Sequence, residues 1–67
     1  MNVIFYSKHG CPKCKVLETK LKQKAILFEE VNDINVMKEK GFMSAPVLEV
    51  DGAVYDFKSA VEWVKEQ

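Results

Sequence analysis

An unbroken apolar run, Val3 to Tyr6, lies inside the opening segment NVIFYS. Its residues are strand formers and show no polar alternation. That pattern predicts a strand covered on both faces, at the centre of a sheet. The stretch HGCP breaks the run, and Pro12 suits the first position of a helix, where its missing N–H is no loss. From Pro12 to Lys24 the pattern is helical. Cys14, Leu17 and Leu21 recur at i, i+3 and i+7 as one inward stripe, widened by Val16, with lysines elsewhere. AILFEEVN, residues 25–32, reads as a second strand. Reached through a helix, it should lie parallel to the first.

The rest of the chain follows the same logic. DINVMKEKGF holds a short helix, with Asn32 or Asp33 as cap and Gly41 at its left-handed end. APVLEV and AVYDF are two strands around the hairpin dipeptide Asp51-Gly52. KSAVEWVKEQ is a last helix with a Ser59-x-x-Glu62 capping box and Phe57, Val61 and Val64 as its apolar side. The predicted order is β-α-β-α-β-β-α: an α/β fold with a four-stranded mixed sheet and helices on both faces. No linker or repeat divides residues 1–67, so the chain reads as a single domain.

Composition narrows the function classes. The 67 residues carry ten basic and ten acidic side chains, for a formal net charge of zero. A balanced charge supports no nucleic-acid or membrane partner. The opening residues lack a basic segment, and no apolar stretch nears the roughly 20 residues that span a bilayer. The expected location is the cytoplasm, and the expected state is a monomer. In that reducing compartment two cysteines point to catalysis or metal binding rather than to a permanent crosslink.

Both cysteines sit in SKHGCPKCK, Ser7 to Lys15. Cys11 falls near the cap of the first helix, and Cys14 one turn in, on the same face, so the sulfurs can meet. A helix start presents unpaired N–H groups and about half a positive charge, and both favour a thiolate at Cys11. Lys8, His9, Lys13 and Lys15 surround it, and the first acidic residue is Glu18. Lowering a thiol pKa from about 8.5 to about 7 needs only about 2 kcal/mol of favourable electrostatics. Cys11 is then the nucleophile of disulfide exchange, and the inward Cys14 resolves the mixed disulfide. The alternative is a carrier of a metal or an iron–sulfur cluster through Cys11 and Cys14. A structural zinc site takes four ligands, and one chain offers only Cys11, Cys14 and His9 as soft donors.

A second stretch, MSAPVLEV, places Pro46 at the start of the third strand. A proline there is ordinary punctuation. Were the Ala45–Pro46 bond cis, the Ala45 backbone would face outward, ready to pair with an extended peptide or with glutathione. Cis bonds make up only about 5–6% of X–Pro bonds, so the residues alone favour trans. His9 reads as a solvated loop residue, Tyr6 as core with its hydroxyl at an edge, and Trp63 as a half-buried packing residue.

VIFYSKHGCPKC followed by SAPVLEVDG resembles the glutaredoxin family and its NrdH-type redoxin relatives, in order and spacing over essentially the whole chain. The resemblance implies a thioredoxin-like fold, Cys11 as nucleophile, Cys14 as resolving cysteine and Pro46 in the cis form. It implies that Lys8 holds a glutathione carboxylate. Lys13 stands where the family commonly has tyrosine. The family's glycine pair, with an acidic residue at the start of the last helix, aligns with Asp56 to Ser59, where Phe57 replaces the glycines. The implied substrate contacts are Lys8, Lys13, Ala45 and Pro46. The implied activity is thiol–disulfide exchange on protein disulfides or glutathione mixed disulfides, with no bound cofactor. Electrons would come from glutathione or from a thioredoxin reductase with NADPH.

Overall fold

A computed structural model describes residues 1–67. The elements are β1 (Val3–Tyr6), α1 (Pro12–Gln23), β2 (Glu29–Val31), α2 (Ile34–Glu39), β3 (Val47–Val50), β4 (Ala53–Tyr55) and α3 (Phe57–Lys65). The sheet order is β2-β1-β3-β4, with β1 parallel to β2 and antiparallel to β3. The apolar run is therefore central, as its lack of alternation requires.

Alternation along β1 splits the core into two. Val3 and Phe5 face α1 and α3 and join Cys14, Leu17, Leu21, Leu48, Val50, Ala60 and Val64 in one cluster. Tyr6 faces the other way and joins Met37 of α2 and Val47 of β3. Fully burying a side chain such as Leu17 stabilises by about 1.5–3 kcal/mol. The larger cluster therefore carries most of the fold's hydrophobic free energy, and Cys14 belongs to it.

Several elements differ from the sequence expectation. The second strand begins at Glu29, not Ala25. Residues 24–26 instead close α1: the amides of Ala25 and Ile26 donate to the carbonyls of Lys22 and Leu21, and Ala25 sits at φ 55°. This is the six-to-one helix ending usually given to glycine. It turns Ile26 back onto the core and leaves Leu27 91% exposed. Val16 does not widen the buried stripe of α1 but stands 45% exposed. The last helix begins at Phe57, which is not in the strand, and its cap is Asp56 rather than Ser59. The Asp56 carboxylate accepts the Ser59 amide at 2.8 Å. An ionised oxygen three residues before that amide outcompetes the hydroxyl of Ser59, which already lies inside the helix.

Other expectations hold. Asp33 caps α2, and Gly41, at φ 79°, ends it, with the Phe42 amide on the Met37 carbonyl. Asp51 and Gly52 both take positive φ in the β3–β4 turn, as a two-residue hairpin demands. Tyr6 is buried, and its hydroxyl donates to Glu49. Trp63 is half-buried, its ring 6.3 Å from that of Tyr55. No helix is long and apolar enough to cross a membrane.

Candidate active site

The strand–loop–helix junction puts both cysteines at one end of α1. Cys11 is the N-cap, in extended conformation, and its Sγ accepts the Cys14 amide at 3.1 Å. A serine or aspartate oxygen commonly fills this role, and here a sulfur does. Pro12 occupies the first helical position, so its missing N–H leaves no group unpaired. One turn of helix brings the two Cα atoms to 5.2 Å, and the side chains are joined as a disulfide. Cys11 is half-buried at the surface, whereas Cys14 is only 4% exposed.

A cleft of about 450 Å³ opens beside the pair. Lys8 and His9 line it from the loop, Lys15 and Glu18 from α1, and Glu30 from β2. Lys8 and His9 are both exposed. Lys13 does not line this cleft; its ammonium lies over the Phe57 ring, 5.5 Å from the centroid. The lysine in the Cys-Pro-Lys-Cys motif and the aromatic residue at the start of α3 thus form one joined feature. The Ala45–Pro46 bond is cis, and Pro46 is buried. Ala45 packs against both core clusters, and the larger of these also supports Cys11 and Phe57. The pKa of Asp56 is lowered because its carboxylate accepts the Ser59 backbone amide. No group of three or more His, Cys, Asp or Glu side chains comes together as a metal site would require.

Sequence reasoning missed Ser7, Glu18 and Glu30 as neighbours of the cysteines. Glu30 pairs with Phe5 across β1 and β2, so it shares the face that α1 covers. Ser7, two residues past Phe5, lies on that face too. The available signal was the parallel pairing of β1 and β2 combined with period-two alternation.

A dithiol at the first turn of the helix that follows the central strand, with a cis proline opening the third strand, defines a thioredoxin-like redox domain. Residues 3–55 match the family model for glutaredoxin, and the chain belongs to that family. Its fold is similar to that in the crystal structure of a mutant of the thioredoxin-like protein BC3987, with a TM-score of 0.79. That match covers 97% of this chain and 96% of the other, at 21% sequence identity. No curated protein sequence matches the chain significantly.

Proposed function

We propose that the chain is a dithiol–disulfide oxidoreductase that reduces protein disulfides or glutathione mixed disulfides. The observation that carries this reading is the Cys11 sulfur at the cap of α1, accepting a backbone N–H and flanked by Lys8, His9 and Lys15. A hydrogen bond to the charged form favours that form. The same amide that meets the sulfur in the disulfide is in place to meet a thiolate in the reduced protein.

The Cys11 thiolate attacks one sulfur of the substrate disulfide, and the other substrate sulfur leaves as a thiolate. Cys14 then loses its proton and attacks the Cys11 Sγ of the mixed disulfide. The second substrate sulfur leaves with the electron pair, and the Cys11–Cys14 disulfide remains. Two electrons from glutathione, or from a thioredoxin reductase using NADPH, restore the dithiol. Lys8 attracts a substrate carboxylate. Lys13, held over Phe57, presents a second positive charge outside the cleft. The Ala45 backbone, just before Pro46, pairs with the extended substrate chain. A reducing cytoplasm suits this chemistry, and one chain supplies the whole site.

A coupled assay tests the reading. Oxidised protein is offered glutathione with its reductase, or thioredoxin reductase with NADPH. Turnover in either, lost in Cys11→Ser, is the expected result and names the donor. No turnover in either, with no Cys11–Cys14 bond forming in thiol buffers, would sink it.

A further inference from the structure

The exchange proposed above leaves one proton without a destination. Cys14 is buried, and burial in apolar surroundings disfavours a thiolate. It must nevertheless ionise before it can resolve the mixed disulfide. The lining of the cleft beside it supplies an acceptor.

Ser7 is a buried polar side chain, at 5% exposure. Its hydroxyl donates to Glu30 Oε2 at 2.9 Å. Ser7, Glu30 and Cys14 all border the one cleft. A buried hydroxyl needs a partner, and this one spends its proton on an otherwise exposed carboxylate, fixing it against the cleft wall. The other charged groups facing the cleft are Lys8 and His9 from the loop and Lys15 and Glu18 from α1. Glu18 makes no side-chain hydrogen bond, and the two lysines are donors. His9 sits on the exposed loop ahead of Cys11. Glu30 alone is an acceptor held in place by a buried group.

We infer that Glu30, positioned by Ser7, takes the proton of the Cys14 thiol during resolution. The proton passes from Cys14 Sγ across the cleft, through one water, to the Glu30 carboxylate. The cleft, about 450 Å³ and bordered by Ser7, Lys8, His9 and Glu30, has the room and the polar partners for that water. The Cys14 thiolate then forms the bond to Cys11 Sγ, the bond from Cys11 Sγ to the substrate sulfur breaks, and the electron pair leaves with the substrate thiolate. Glu30 is solvent-exposed on its outer side and returns the proton to bulk water. Ser7 is a positioning residue, and Glu30 is the proton acceptor.

The inference rests on the exchange reading, so the test separates the two. Reduced protein is mixed with a chromogenic aromatic disulfide in a stopped-flow instrument. The first equivalent of aromatic thiolate reports attack by Cys11, and the second reports resolution by Cys14. Glu30→Gln should leave the first phase within about twofold and slow the second on the order of tenfold at pH 7, a fraction of the usual range for proton transfer by a side chain. It should also move the midpoint of the second phase to higher pH, which a merely structural role would not do. Glu30→Asp should restore part of the rate, and Ser7→Ala should shift the profile in the same direction by less. Glu18→Gln should superimpose on the parent protein. A second phase in Glu30→Gln with the parent pH profile would overturn the inference, as would a shift in Glu18→Gln alone. Release of the second equivalent in Cys14→Ser at the parent rate would overturn the exchange reading itself, and the inference with it.

Discussion

On the face of the sheet covered by α1 and α3, nine buried residues form one cluster; on the face covered by α2, only Tyr6, Met37 and Val47 do. The dithiol is built into the thick side through Cys14. The Ala45–Pro46 turn borders both sides, since Ala45 touches each cluster. The resolving sulfur is therefore fixed by packing, while the proposed substrate-pairing backbone rests partly on the thinner side. The lesson is that a small domain can spend most of its core on holding one reactive group in place. The two helices also end in the same hydrogen-bond pattern but with different residues, Ala25 after α1 and Gly41 after α2.

The largest expected effect is on the thick side. Leu17→Ala should destabilise the protein by about 4 kcal/mol, within the range for fully buried leucines. Total stability scales to only roughly 3–10 kcal/mol for a chain of this size, so the loss removes a large share of it, and the urea midpoint of the variant should fall steeply. Met37→Ala should cost about 2 kcal/mol, at the low end for such changes, because its cluster is small. It should leave alkylation of Cys11 at the parent rate, because Cys11 packs on the other cluster. Equal losses from the two variants would erase the distinction between the faces. Ala25→Gly should stabilise by about 1 kcal/mol, because an L-residue in left-handed backbone is strained and glycine is not. A lower urea midpoint for that variant would contradict the helix ending described here.

The smallest effect concerns pH. Asp56 has its pKa lowered by the Ser59 amide. A depressed folded-state pKa contributes stability above the unfolded value, about 3.9, and that contribution disappears as pH falls through the folded value. Asp56→Asn should therefore flatten the stability curve below about pH 4 while leaving an oxygen to cap α3. Lys40 behaves in the opposite sense. The Tyr6 hydroxyl, and then Glu49, raise its pKa. Its contribution is present at neutral pH and fades only as pH climbs past the ordinary lysine range.

Much of this architecture was legible in the sequence because its signals are local. The unalternating run of β1, the stripe Cys14–Leu17–Leu21 and the Asp-Gly turn each report on their own neighbourhood. The cysteine motif reports on itself. The bond at Pro46 was different: the residues favoured trans, and only the resemblance implied the cis form that the structure has. The errors came where two local signals competed. AILFEEVN has strand composition throughout, yet Ala25 and Ile26 are needed to end α1, and Leu27 is left outside. Ser59 and Glu62 spell a capping box, but Asp56 stands one turn earlier and wins. Val16 adjoins the buried stripe without entering it. What no local pattern could show is the Ser7–Glu30 contact, which exists only once β1 and β2 are paired in register.

The proposed exchange turns on the charge state of Cys11 in the reduced protein. The direct measurement is the rate of alkylation by iodoacetamide as a function of pH, with the modified position read by mass spectrometry. Modification at Cys11, well ahead of Cys14 and with a midpoint below that of an ordinary thiol, is the result expected from a sulfur at a helix cap beside three basic side chains. A midpoint at about 8.5, that of an unperturbed thiol, or faster modification at Cys14, would contradict it.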